Sequence, residues 1–260
     1  MANEEGKVVV LTGASRGIGL AIAHMLLSSP SSHKLVVMSR THEALDQLHY
    51  QYPSQVEVLA GDLSNASLKL NEKAVELALS RWGRLDALIV NHGTLQPVKR
   101  IANVDLAEWE AGFGANVGSA VALIQAAIPP LRKSNGRILL TSSGAAVSGY
   151  VGWGCYGAGK AVLNHLALTL TAEEPDITTI SIRPGVVDTE MQREIREVHA
   201  EAMSEKDREK FAGLKRDGGL LKAEQPGGVI ARLAVQGDVG GLKGKFLSWN
   251  DEGLAEWQEE

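Results

Sequence analysis

Cysteine is nearly absent. The 260 residues hold only Cys155, so no intrachain disulfide can form and the disulfide scaffolds of small secreted domains are excluded. Cys-x-x-Cys and His-x-x-Glu-His spacings are missing too, so no metal centre is expected. Basic charge is not in excess: 26 Lys and Arg stand against 31 Asp and Glu, giving a formal charge of −5 and a pI near 5.8. Nucleic acid and anionic membranes attract clustered Lys and Arg and are not expected as partners. No uninterrupted apolar run reaches the roughly 18 residues of a membrane helix, and Met1 to Lys7 lacks the basic and apolar regions of a secretory leader. A soluble, cytoplasmic protein is expected. Proline is scarce at 8 residues while glycine reaches 28, against average shares of about 5% and about 7%. Disorder would raise both, so the glycines answer to particular backbone positions.

What is present reads as an alternation. With 44% hydrophobic residues the chain can bury a large core, and its length suits one α/β domain. Apolar runs of strand length occur at Lys7 to Thr12, Lys34 to Met38, Val56 to Ala60, Ala87 to Val90, Arg137 to Thr141, Thr178 to Ile182 and Lys245 to Trp249. Segments of helical period separate them, among them Ile18 to Leu26, Asn65 to Trp82, Gly157 to Thr171 and Gly227 to Val235. Strands that are apolar on both faces imply a seven-stranded parallel sheet with helices on each side, a doubly wound Rossmann-type α/β domain spanning 1–260. Only Glu190 to Gly219 departs from the alternation. It is charged and helix-prone, and either a solvated surface insertion or a substrate-covering lid accounts for it.

The first strand runs into Thr12-Gly13-Ala14-Ser15-Arg16-Gly17-Ile18-Gly19 and directly into a helix. Glycine admits backbone angles closed to other residues and lets the main chain approach a pyrophosphate, whose charge then meets the helix N-terminus. In this strand-to-helix context the pattern predicts a dinucleotide site. An NAD-selective site places an acid about 20 residues further on, at the end of the second strand. That place holds Ser39 and Arg40. With Arg40 and Arg16 able to converge on a 2′-phosphate, NADP(H) is the expected cofactor.

Tyr156 and Lys160 are four apart, one turn on the same helical face. An ammonium beside a phenol favours the phenolate and lowers a pKa that is otherwise about 10, which suits acid–base work on an alcohol or carbonyl oxygen. Ser143 follows the run Ile138-Leu139-Leu140, and Asn91 follows the fourth strand, so both belong to the carboxyl edge of the sheet where ligands bind in open α/β folds.

Together these residues resemble the short-chain dehydrogenase/reductase family over nearly the whole chain. The matching features are Thr12-Gly13-x-x-x-Gly17-x-Gly19, Asp62-Leu63, Asn91-x-Gly93, Asn116, Ser142-Ser143, Tyr156-x-x-x-Lys160 and Pro184-Gly185-Val186-Val187-Asp188-Thr189. The resemblance implies that Tyr156 is the general acid/base, that Ser143 orients the substrate oxygen and that Lys160 binds the nicotinamide ribose and tunes Tyr156. It implies that Asn116 holds a relay water, that Asp62 and Asn91 flank the adenosine, and that Val187 and Thr189 meet the carboxamide. Residues Ser142 to Trp153 and Arg183 to Glu197 are similar to the yeast-type benzil reductases of the sepiapterin-reductase-like branch, which reduce one carbonyl of a diketone with NADPH. A small-molecule carbonyl substrate and a homo-oligomer, dimer or tetramer, follow as expectations. A pteridine or specialised-metabolite ketoreductase is a second reading, and a non-catalytic dinucleotide-binding regulator a third. Two departures stand out: His92 takes the place of the usual small residue after Asn91, and Gly159 that of a frequent Ser before Lys160.

Overall fold

The computed structural model describes residues 6–63 and 68–258. Seven strands form one sheet: β1 (Val8–Thr12), β2 (Lys34–Ser39), β3 (Val56–Ala60), β4 (Ala87–Val90), β5 (Arg137–Thr141), β6 (Thr178–Arg183) and β7 (Phe246–Ser248). Their order is β3-β2-β1-β4-β5-β6-β7, and every pairing is parallel. The seven strands lie where the sequence reading put them, with ends shifted by a residue or two.

Strand residues alternate between two cores, as a side-chain period of two requires. Val9 and Leu11 face one layer, built by α1 (Gly17–Ser28) and α9 (Glu224–Val235); Val8 and Val10 face the other, built by α3 (Leu68–Trp82), α5 (Ser119–Ser134) and α6 (Gly154–Glu173). Because both faces are covered, neither can be polar, and the runs in the sequence are continuous. After β3 the chain crosses back over β1 to place β4 on its other side. That reversal opens a crevice at the carboxyl ends of β1 and β4.

Several helices differ from the sequence expectation. Helix α2 (His42–Gln51) has no clear apolar stripe, since only Leu45 and Leu48 on it are buried. The beginning of the helix expected from Asn65 falls at 65–67, outside the described residues. Residues 190–219 fold as α7 (Glu190–Glu197) and α8 (Glu205–Arg216) with a short turn between them. Helix α4 (Leu106–Phe113) runs through a π-turn, Gly114–Gly118, into α5. The resulting stretch Leu106–Ser134 is long enough to cross a membrane and holds an 18-residue window of mean hydropathy 1.4, although charged and polar residues interrupt its apolar runs. In the fold it packs on the sheet through the fully buried Leu123, Ala127 and Leu131, as a core helix does.

At the amino edge of the sheet Asp86 joins three strands. Its Oδ2 accepts from Val8 N–H at 2.9 Å, its own N–H donates to Val8 O at 2.8 Å, and its carbonyl accepts from Arg137 N–H at 2.9 Å. Arg84 Nη2 donates to Oδ1 at 2.7 Å. Replacing Asp86 by Ala strands a buried N–H and removes the charged partner, so Asp86→Ala is expected to lower stability by about 2–4 kcal/mol. A shift of the urea midpoint without a change in slope checks this.

Candidate active site

The turn after β1 exists because of its glycines. Gly13 and Gly17 have φ of +67° and +53°, in the left-handed region that side chains disfavour. Gly19 is required by proximity: a Cβ there would stand 2.0 Å from Gly13 O and 2.7 Å from Asn91 Nδ2. Arg16 precedes α1 without a side-chain cap, so the first N–H groups of the helix face the crevice with no side chain competing for them. This is the chemistry a pyrophosphate needs, and the turn fits a dinucleotide.

From this turn a cleft of about 1210 Å³ runs across the carboxyl edge to Tyr156. It gathers Ser15, Arg16 and Ile18, then Ser39 and Arg40, then Asp62 and Leu63, and further along Asn91, Gly93, Ser143, Lys160, Pro184, Gly185, Val187 and Thr189. Of the expected site residues only Gly19 and Asn116 lie outside the lining, the first beneath the turn and the second beneath the loop after β4. Arg16 and Arg40 are exposed. The Ser39 hydroxyl donates to Thr41 O at 2.8 Å and accepts from Thr41 N–H at 3.1 Å, which shapes the chain end beside Arg40. Thr41 also lines the cleft and carried no signal in the sequence.

Ser143 lies just past β5. Its Oγ accepts from Ala145 N–H at 3.1 Å, and its side chain acts on the Tyr156 phenol in the sense that favours the phenolate. Tyr156 and Lys160 stand on consecutive turns of α6, both buried, with Lys160 Nζ 5.7 Å from the phenol ring centroid. Burial pushes the phenol above its ordinary value, and the Ser143 hydroxyl is what opposes it. Burial also brings Lys160 down to about 8, and its ammonium donates to Thr141 O at 2.7 Å. Tyr156 is therefore a loaded acid at neutral pH, with a cation one turn away.

Asn91 binds the strand ends together: its N–H donates to Thr12 Oγ1 at 2.9 Å and its Oδ1 accepts from Thr141 Oγ1 at 3.2 Å. His92 is a neutral link in the same network. The Ser119 hydroxyl donates to Ala115 O at 2.7 Å, so its oxygen accepts from His92 Nε2–H at 2.7 Å. Nδ1 then accepts from the Thr12 hydroxyl at 2.8 Å. Burial, and then Lys160, hold the imidazole down at about 4. Asn116 sits in the π-turn between α4 and α5, where its Nδ2 donates to Thr94 O at 2.9 Å and its Oδ1 accepts from Thr94 N–H at 2.8 Å. Both ends of its amide engage Thr94, so the side chain fixes the loop after β4.

Helices α7 and α8 supply residues that the sequence did not single out. Phe211 stacks on Trp153 with centroids 5.6 Å apart; Trp153 in turn lies 4.7 Å from Tyr150 and edge-on to Tyr156 at 5.9 Å. Lys210 Nζ donates to Tyr150 Oη at 2.9 Å, and Lys215 pairs with Asp188 at 2.7 Å. Phe211 and Gln192 are buried within a segment whose other residues are largely charged, so their only trace in the sequence is their rarity there.

A parallel sheet reversing at β1 and β4, a glycine turn fitted to pyrophosphate, and a tyrosine–lysine–serine group at the same edge define a dinucleotide-dependent oxidoreductase. The profile of short chain dehydrogenases matches residues 7–200, and the chain belongs to that family, whose members act on CH–OH or C=O groups with a nicotinamide dinucleotide. A crystal structure of a short-chain dehydrogenase/reductase from Saccharomyces cerevisiae superposes with a TM-score of 0.94 at 36% identity, covering 98% of this chain and 100% of that one. Benzil reductase ((S)-benzoin forming) of S. cerevisiae is 37% identical over 259 residues, covering 96% of this chain and 98% of its own. Sepiapterin reductase of Mus musculus is 36% identical over 229 residues, covering 82% and 86%.

His92 supplies a pH prediction. Its value is about 4 folded against 6.5 unperturbed, so between these the unfolded chain binds the extra proton and stability falls as pH is lowered. The contribution is whole above 6.5 and is lost as pH falls toward 4. Urea midpoints between pH 7 and 4 are expected to drop more steeply for the native protein than for His92→Gln.

Proposed function

We propose that the protein is an NADPH-dependent carbonyl reductase acting on ketones and diketones of the benzil type. The observation that carries this is that Ser143, a buried, protonated Tyr156 and, on the next turn, Lys160 line one cleft with the glycine turn. Full-length similarity to a benzil reductase and the aromatic wall of Tyr150, Trp153 and Phe211 support the substrate class. The segment from Glu190 to Gly219 acts as the cover of the substrate end, in keeping with Ile195, Met203 and Phe211 packing in one cluster with Trp153 and Tyr156. A pure regulator would be free to lose the serine, tyrosine or lysine, and this chain keeps all three.

The glycine turn from Gly13 to Gly19 and Lys160 would hold a nicotinamide dinucleotide along the cleft, and its reduced ring would supply the hydride that the carbonyl carbon accepts. Ser143 and Tyr156 hold the carbonyl oxygen between their hydroxyls. As the C=O pair moves onto oxygen, Tyr156 gives up its proton and the product is a secondary alcohol. The phenolate left behind is favoured by the Ser143 hydroxyl and by the Lys160 ammonium, and regains its proton from solvent. Positioned acids contribute roughly 10² to 10⁴-fold. Tyr156→Phe is accordingly expected to lose about that factor in kcat with benzil and NADPH, followed at the cofactor's absorbance; turnover near the native level would overturn the role.

Preference for NADPH rests on the missing acid after β2 and on Arg40 and Arg16 at that end of the cleft. Charge-assisted hydrogen bonds are worth about 1.5–3 kcal/mol. Arg40→Glu is expected to weaken NADPH binding by that amount while leaving NADH little changed, as read by titrating each cofactor.

A further inference from the structure

Three acids line the cleft, and each is accounted for. Glu108 pairs with Lys99 at 2.6 Å and Glu190 with Arg193, while Asp62 lies at the cofactor end. Lys210, on α8, is a cation of another kind. It lines the cleft and is exposed, and among the described residues no carboxylate pairs with its ammonium. The ammonium instead donates to Tyr150 Oη at 2.9 Å and stands 5.0 Å from the centroid of that ring and 5.4 Å from that of Phe211. Tyr150 also lines the cleft and is half-buried. Because its oxygen accepts from the ammonium, its own O–H is left to donate elsewhere, and it meets no protein acceptor among the described residues.

Ring contacts tie this pair to the catalytic tyrosine. Trp153 lies edge-on to Tyr156 with centroids 5.9 Å apart, Tyr150 lies 4.7 Å from Trp153 on the same wall, and the ammonium stands over Tyr150. An elongated aromatic ketone laid along this wall with its carbonyl at Tyr156 brings its far end to Lys210. What waits there is an ammonium with N–H donors to spare and a phenol O–H beside it, both open to the cleft. An apolar end displaces water from these donors and returns nothing, whereas a carboxylate accepts from both in charge-assisted bonds.

We propose that Lys210 and Tyr150 form an anion subsite at the end of the aromatic wall, and that the substrate is an aromatic ketone carrying a carboxylate at the end remote from its reacting carbonyl. The proposal rests on the carbonyl-reductase reading for which group reacts, and on the Lys210–Tyr150 pair for what the far end bears.

Benzil and its para-carboxylate differ by one anionic group on one ring, which makes them the probe. Binding of each is measured by equilibrium dialysis with NADP saturating, so that the cations of the cofactor end are already occupied, and kcat/KM is measured with NADPH. The native enzyme is expected to favour the carboxylate by roughly 5-fold or more in binding, and high salt should shrink that ratio, because an exposed ion pair is screened. Lys210→Met, which keeps the stem over Phe211, should bring the ratio close to unity, and Lys210→Glu should invert it. Lys210→Arg should retain it, and Tyr150→Phe, which keeps the ring, should reduce it in part. A ratio near unity in the native enzyme, or one that Lys210→Met and Lys210→Glu leave unchanged, overturns the subsite. So does a ratio that collapses only in Arg183→Met, since Arg183 also lines the cleft. Lys210-dependent preference in binding without turnover of either compound supports the subsite and sinks the reductase reading. Turnover of both without the preference does the reverse, and binding of neither removes both.

Discussion

No side chain can stand at position 19, because the carbonyl of Gly13 already occupies that space. Helix α1 can therefore begin directly against the ends of β1 and β4, with its first amides turned to the crevice between them. Any residue with a Cβ would push the helix away and withdraw those amides from the place where a pyrophosphate has to lie. The rest of the edge is arranged around this contact. Asn91 Nδ2 reaches the carbonyls of Thr12 and Gly13 at 3.4 Å each, so the strand that carries the loop toward Lys160 is joined to the turn that receives phosphate.

Burial is the second organising influence. Tyr156, Lys160 and His92 lie within one small volume, and each is pushed toward its uncharged form by loss of water. The histidine yields completely, bracketed by two hydroxyls that need no charge to satisfy it. The tyrosine keeps its proton, which suits an acid. The lysine retains its charge at neutral pH only narrowly, helped by a main-chain carbonyl at 2.7 Å. One desolvated environment thus sorts three titratable groups into three different states.

Strands and glycine turn were legible in the sequence because each follows from a local rule: a strand covered on both faces must be apolar throughout, and a backbone that touches a ligand must be bare. The spacing of Tyr156 and Lys160 was legible for the same reason, as helical geometry. What escaped depends on partners distant in the chain. Helix α2 buries only Leu45 and Leu48, too few for a periodic signal. The state of Tyr156 depends on how deeply α6 sinks against β5, which spacing does not reveal. The two ends of Asn116 are taken by a loop 22 residues away. In α7 and α8 the charges face outward and mask the few inward residues, Gln192 and Phe211 among them, that meet the cleft.

The clamp made by Asp86 sits at the edge of the sheet away from all this, yet it acts as a gauge for it. By tying Val8, Asp86 and Arg137 together at one end, it sets the register that brings Thr12, Asn91 and Thr141 within reach of one another at the other, where their hydrogen bonds are made. The distance between the two ends is counted in strand residues, four or five of them. A single residue gained or lost within β1, β4 or β5 would displace one component of the site by about 3.3 Å, several times the roughly 0.5 Å tolerance of a working constellation. These three strands are not free to vary in length, and the reason lies in the ruler they form between a structural edge and a chemical one.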